Sequence, residues 1–266
     1  MKDFSYQSYD CIIFDCDSTI CAIEGIDELA NLKGKKKEVE FLTQKAMDGE
    51  LGFEEVFEKR LEIIKPHQED LKKIGKMYIN SLVKDMPKVI ETLQYLGKEI
   101  YIITGGYEEA VMILAKELKI SSSYIYANKL YFDDAGNYVD YERENHLCKN
   151  NGKKKLLQKI IQKTQKSAFI GDSMTDYEAK ESVTCFIGYG GVARRESVRK
   201  KAKIFIESES MVGLLPHIIG KEDYSKLIKS KYFDFYQKGL SLFYQQNIIF
   251  NNSFDTIAND CNKLDN

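Results

Sequence analysis

Asp10-Cys11-Ile12-Ile13-Phe14-Asp15-Cys16-Asp17-Ser18-Thr19 runs from a short apolar stretch directly into acid. A nearly continuous apolar run that ends in carboxylates reads as a strand buried on both faces of a parallel sheet, with polar groups gathered at its carboxyl end. Side chains alternate along extended chain, so Asp15 and Asp17 project to one side, where two like charges need a reason. Alone, such a pair is most often a solvated loop.

Outward from that strand the texture changes. From about 23 to 80 the apolar residues fall at helical spacing (Leu29, Leu32, Val39, Leu42, Ala46, then Phe53, Val56, Phe57, Leu61, Ile64), with breaks at Gly34, Asp48-Gly49 and Pro66. This predicts an all-helical insert. Beyond Pro87 helix and strand alternate: a helix near 87–97, a strand at 100–103, a helix at 107–118 and a strand at 124–127. Asp134-Ala135-Gly136-Asn137 within 129–141 signals a hairpin. A lysine-rich helix from about 153 and strands at 167–170, 184–187 and 204–206 complete the series. The expected fold is α/β, a doubly wound parallel sheet whose ligands sit at the carboxyl ends of the strands. The expected organisation is a core of residues 1–20 and 82–220, an inserted helical-bundle cap at 21–81 and an extension at 221–266. Nine aromatics between Tyr224 and Phe254 predict that this extension forms helices packed on the core or on a second copy of the chain, which allows a homodimer, with fraying after about 259.

The 266 residues carry 39 Lys and Arg against 41 Asp and Glu, a net charge of −2, so no bulk field favours nucleic acid or an anionic membrane surface. No apolar run approaches a bilayer span and MKDFSYQSYD lacks a signal-peptide core, so a cytoplasmic address is expected. The six cysteines, at 11, 16, 21, 148, 185 and 261, form no C-x-x-C pair and read as buried thiols. His67, His146 and His217 lack partners at ligand or triad spacing and read as structural or surface residues.

A second acidic pair changes the weight of the first. Gly171-Asp172-Ser173-Met174-Thr175-Asp176 follows another apolar strand, and Asp172 and Asp176, four apart, share a face if the chain turns helical. Four carboxylates at the ends of two parallel strands make a hard-oxygen site that suits Mg²⁺. Ile103-Thr104-Gly105-Gly106 ends a further strand, where glycine amides and a helix start can approach an anion and Thr104 adds a hydroxyl. Asn151-Gly152-Lys153 places a cation at a helix start, an unfavourable position unless an anion sits nearby; Lys154 and Lys155 read as solvent-facing.

The order D-x-D-S-T, T-G-G, G-K, G-D-S-x-T-D resembles the four motifs of the haloacid dehalogenase-like phosphatases. The insert, through Glu24-Gly25-Ile26-Asp27-Glu28-Leu29-Ala30, Ala46-Met47-Asp48-Gly49, Phe53 and Arg60-Leu61, is similar to the helical cap of the phosphoserine-hydrolysing branch, and Phe186-Ile187-Gly188-Tyr189-Gly190-Gly191 matches the stretch after the last motif. The likeness covers about residues 8–219; Thr104 stands where that family usually has serine, and the chain runs on past its usual end. The resemblance implies Asp15 as nucleophile, forming an aspartyl-phosphate, and Asp17 as general acid and then base. It implies Mg²⁺ held by Asp15, Asp172 and the Asp17 backbone carbonyl, with Asp176 supporting. Lys153, Thr104 and the amides of a Gly105-Gly106 turn would bind phosphate, with Thr175 beside them, Glu24 would meet a substrate ammonium, Arg60 its carboxylate, and Met47 and Phe53 would wall off water. The implied reaction is Mg²⁺-dependent hydrolysis of the small phosphomonoester phosphoserine, as in the last step of serine biosynthesis.

Three rivals deserve weight. A related phosphatase or phosphotransferase acting on another small phosphomonoester would leave Glu24 and Arg60 incidental. A receiver-like phospho-acceptor switch shares clustered aspartates and a lysine but lacks the D-x-D partner and the helical insert. Gly188-Tyr189-Gly190-Gly191-Val192-Ala193 satisfies a dinucleotide fingerprint, yet follows four phosphoryl-transfer motifs rather than opening the chain.

Overall fold

The computed structural model describes residues 8–47, 52–162, 164–245 and 248–250, with the side chains of 44–47 and 248–250 outside the description. β1 (Cys11–Phe14) is fully buried at all its positions. Its side chains feed two apolar clusters, one on each face of the sheet: Ile12 and Phe14 enter one, Cys11 and Ile13 the other. Four helices follow, α1 (Gly25–Leu32), α2 (Lys36–Met47), α3 (Phe53–Ile64) and α4 (Gln68–Asn80), as the helical spacing predicts. The chain then returns through α5 (Met86–Tyr95), β2 (Glu99–Tyr107), α6 (Glu108–Glu117), β3 (Ile125–Asn128) and the hairpin β4 (Leu130–Phe132) and β5 (Tyr138–Tyr141). At the hairpin tip Asp133 Oδ1 accepts from Ala135 N and Asn137 N, and Gly136 takes φ +84°, a conformation glycine adopts at little cost.

α7 (Gly152–Ile160), β6 (Ser167–Gly171), α8 (Met174–Tyr177), β7 (Cys185–Tyr189), α9 (Glu196–Arg199) and β8 (Ile204–Ile206) finish the alternation, and α10 (Leu215–Ile218), α11 (Lys221–Leu227), α12 (Phe233–Tyr244) and β9 (Ile248–Phe250) follow. The strand order is β3-β2-β1-β6-β7-β8-β9, with every pairing parallel except the antiparallel β8 and β9. Six parallel strands with crossover helices are the doubly wound sheet expected. β1 sits at the switch point: its sequence neighbour β2 lies on one side and β6 on the other, which places three motif-bearing strand ends side by side.

Three expectations need correction. β2 does not stop at residue 103 but continues through Thr104, Gly105 and Gly106 to Tyr107, because its pairing with β3 resumes at Asn128 after a register shift, and Asn128 Nδ2 donates to Gly105 O at 2.9 Å. The extension is not purely helical. α11 and α12 form and pack on the core, but β9 then adds an antiparallel edge strand to β8. Cys185 is half-buried rather than buried; Cys11, Cys16, Cys21 and Cys148 are buried, and Cys261 and Phe254 lie outside the described residues, as does the fraying expected after 259. Gly188-Tyr189 lies inside β7 and no helix opens until Glu196, so the dinucleotide pattern has no phosphate-binding turn. Gly188 and Gly190 instead make room for Phe205, whose ring would stand 2.6 and 2.5 Å from a Cβ at those positions.

The buried polar contacts of the extension explain its order. Asp223 of α11 accepts from Ser8 Oγ at 2.6 Å and pairs with Lys98 Nζ at 2.8 Å, tying the chain start, the approach to β2 and the extension together out of solvent. His217 is buried beside the ring of Phe243, and His67 caps α4: its Nδ1 accepts from Glu69 N, and its Nε2 reaches Ala135 O at the hairpin tip. These two histidines are structural, as the sequence suggested. Among the described residues no helix is long and apolar enough to cross a membrane.

Candidate active site

The register aligns Phe14 with Ile102 and Ile170, so Asp15, the end of β2 and the Gly171-Asp172 turn emerge together. Asp15 N donates to Ile170 O at 2.9 Å, which fixes the nucleophile candidate against β6. The next residues turn sharply. The amides of Thr19, Ile20 and Cys21 all converge on Cys16 O, and Ser18 takes φ +53°. Asp15, Asp172 and Asp176 are buried, and each offers an oxygen within 4.8 Å of the others. Asp176 is aimed by a capping box at α8: Ser173 N and Oγ donate to its Oδ2. Gly171 must lack a side chain here, since a Cβ would stand 2.4 Å from Asp176 Cγ.

Lys153 opens α7 and is buried between these acids, hydrogen-bonded to Asp176 Oδ1 and 2.8 Å from Asp15 Oδ1. Asp15 Oδ1 is thus ion-paired with Lys153 and has no other hydrogen-bond partner among the described residues. The anions that make a cation tolerable at this helix start are therefore the site's own carboxylates. Burial would lower the lysine, but Asp15 and Asp176 outweigh it and hold the ammonium well above its usual range. Burial and then the Asp176 charge push Asp15 well above the usual carboxylate range, and the same two causes raise Asp172 to about 7.

Asp17 follows on the same side, raised to about 6 by burial. Its Oδ1 accepts from Tyr78 Oη at 2.7 Å and from Gly25 N at 2.8 Å. Thr104 is fully buried and its Oγ1 accepts from Gly106 N at 3.0 Å, leaving the hydroxyl hydrogen to donate. The Gly106 amide is thus already engaged inside a strand and is not the free donor of a turn that the sequence suggested. Glu24 Oε1 accepts from Ser18 Oγ at 2.7 Å and from Arg195 at 3.0 Å, while burial and the Asp17 charge raise the carboxyl to about 7. Arg60 donates to Thr43 Oγ1 at 2.8 Å, and its Nε is buried with no hydrogen-bond partner among the described residues.

A cleft of about 550 Å³ joins these groups: Asp15, Asp17, Glu24, Phe53, Arg60, Thr104, Gly105, Gly106, Lys153, Asp172 and Thr175 all line it. Of the sequence candidates, Asp176 lies behind this lining in the acid cluster, and the side chain of Met47 is outside the described residues. Sequence reasoning missed two groups. Arg195, before α9, bridges Asp172 (2.8 Å) and Glu24; its place in the loop after a strand's carboxyl end was the available signal. Tyr78, deep on the buried face of α4, gave none.

The donor set fits a divalent cation. Three mutually close, buried carboxylates, of which Asp15 and Asp172 have raised proton affinity, are short of positive charge, and an all-oxygen set suits a hard ion. The model of the haloacid dehalogenase-like hydrolases matches residues 9–183. The chain is 33% identical to a phosphoserine phosphatase of Drosophila melanogaster over 78% of each chain, and 32% identical to the human one over 76% of this chain and 90% of that one. A solved phospho-aspartyl intermediate analogue of a phosphoserine phosphatase superposes with a TM-score of 0.66 at 28% identity, covering 80% of this chain and all of the other. The chain belongs to the haloacid dehalogenase-like hydrolases.

Proposed function

We propose that this phosphatase hydrolyses phosphoserine to serine and phosphate, with Mg²⁺ as its cation, residues 21–81 acting as the cap over the core site, and Asp15 as the nucleophile. The observation that carries the reading is the convergence of Asp15, Lys153, Asp172 and Asp176 at adjacent strand ends, in a cleft that also holds Glu24 and Arg60. Asp15 and Asp172, with the Asp17 backbone carbonyl, would hold the ion, and Asp176 fixes Lys153 behind them. When bound there, such an ion would supply Lewis-acid neutralisation of phosphate charge.

The chain's own residues do the rest. An Asp15 oxygen attacks phosphorus as the bond to the seryl oxygen breaks, and Asp17 gives that oxygen its proton. Water then attacks the aspartyl-phosphate while Asp17 takes a proton back, which releases phosphate and restores Asp15. Lys153 and the Thr104 hydroxyl hold the phosphoryl oxygens through both steps. In the cap, the orphaned buried Arg60 Nε matches a carboxylate, and Glu24 matches an ammonium; together they select an amino acid phosphate. Phe53, its ring tilted against Phe57 at 6.5 Å, supplies the apolar wall.

A substrate panel with Mg²⁺ tests this. Phosphoserine is expected to turn over at least about tenfold faster than phosphothreonine or a sugar phosphate, with Asp15→Asn abolishing phosphate release. Equal rates across the panel would overturn the serine assignment while leaving the phosphatase chemistry intact.

A further inference from the structure

The proton-transfer group of the core is held by the insert. Both hydrogen bonds to Asp17 Oδ1 come from the helices between β1 and α5: Gly25 N at the start of α1 and Tyr78 Oη near the end of α4. Tyr78 is among the largest fully buried side chains, and the surroundings are shaped around its phenol. A Cβ at Gly25 would stand 2.1 Å from Tyr78 Oη, and one at Gly106 would stand 3.3 Å from it and 3.4 Å from Asp17 Oδ2. Two elements distant in sequence, α1 and β2, thus leave room for one hydroxyl to reach one carboxylate oxygen. Burial and the Asp17 charge keep the phenol protonated far above neutral pH, so toward Asp17 it is the donor.

We propose that Tyr78 is a positioning residue for the reaction: its hydroxyl fixes Asp17 Oδ1 as a permanent acceptor and leaves Oδ2, the oxygen beside Gly106, as the one that exchanges the proton. The proposal rests on the phosphatase reading above, in which Asp17 is acid and then base. In the first half-reaction the Oδ2 proton passes to the seryl oxygen as its bond to phosphorus breaks. In the second, Oδ2 takes a proton from the attacking water as the bond from phosphorus to Asp15 breaks. Tyr78 gives up no proton in either step. Without its hydroxyl the carboxyl group is free to turn about its terminal torsion, which is intrinsically broad, and the proton is shared between two unequal positions.

Tyr78→Phe keeps the ring and removes only the hydroxyl. With phosphoserine, whose alkoxide leaves only if protonated, kcat is expected to fall about ten- to hundredfold with KM within about twofold. With p-nitrophenyl phosphate, whose phenolate leaves unprotonated, the pre-steady-state burst of nitrophenolate should change less than about threefold, because that burst reports the first half-reaction alone. In an Asp17→Asn background, adding Tyr78→Phe should cost nothing further. Equal losses in phosphoserine kcat and in the rate of the nitrophenolate burst, unchanged turnover of phosphoserine, or multiplicative effects in the double variant would each overturn the proposal. If the native enzyme prefers another alkyl phosphate, only the substrate assignment fails, and the Tyr78 comparison is made on that substrate.

Discussion

Arg60 shows how much a single buried side chain can decide. Its guanidinium spends one donor on Thr43 and keeps a buried Nε with no hydrogen-bond partner among the described residues, a cost that a bound carboxylate removes. Arg60→Ala is expected to raise KM for phosphoserine about ten- to hundredfold, the worth of a hydrogen bond between charged groups, and to leave p-nitrophenyl phosphate within about twofold. Steady-state kinetics on both substrates checks this, and a similar loss on each would make Arg60 structural. The residues legible from sequence were those whose spacing along one strand end already carried chemistry: Asp15 with Asp17, and Asp172 with Asp176. Arg195 and Tyr78 were not, because Arg195 reaches Glu24 across more than a hundred residues and Tyr78 reaches Asp17 across about sixty, and neither type is unusual where it stands.

Helix starts and strand ends do the aiming. α4 is held at its N-terminus by Asp70, which accepts from His67 N at 3.0 Å and pairs with Lys33 and Lys73 at 3.3 and 3.0 Å. Farther along, Gly75 lies so close to α6 that a Cβ would meet Ile113 at 2.8 Å. Asp70→Ala is expected to cost about 1–2 kcal/mol, the worth of a cap, and to lower Tm by a few degrees with kcat nearly unchanged; a thermal melt beside a rate assay reads both. Helical periodicity made α1 to α4 legible. The end of β2 was not, because Thr-Gly-Gly reads locally as a turn and only the pairing with β3, restored at Asn128, keeps it extended. β9 was likewise illegible: Ile248–Phe250 gains strand geometry from the open edge of β8, a partner about forty residues away.

Across the molecule, the two faces of the sheet are closed by different parts of the chain, and His217 marks where the extension does its share. Burial lowers its pKa to about 4, so the folded state holds a neutral ring that the unfolded chain protonates near pH 6.5. A folded pKa below the unfolded one means that stability is full above about 6.5 and is lost as pH falls toward 4. The active-site acids Asp17, Glu24 and Asp172 have the opposite sign, since their folded values lie above ordinary carboxylates. The test is therefore a difference: between pH 7.5 and 4.5 the native protein should lose about 2–3 kcal/mol relative to His217→Phe in urea unfolding, with the shared acids cancelling. The nested order, with an insert between the first two strands of a doubly wound sheet, was legible because the texture changes abruptly at both ends of the insert.

β1 lies between β2 and β6, and that placement sets a timetable for synthesis. β1 is made before either of its neighbours and gains β6 only about sixty residues after β2. Asp15 waits about 160 residues for Asp176, which at ordinary elongation rates is roughly ten to thirty seconds. For that interval one hydrogen-bonding edge of an apolar strand stays open, and its terminal acid lacks the lysine that will later sit against it. The nascent chain is therefore most exposed to mispairing before residue 171 is made, and the catalytic centre cannot assemble until Asp176 has left the ribosome.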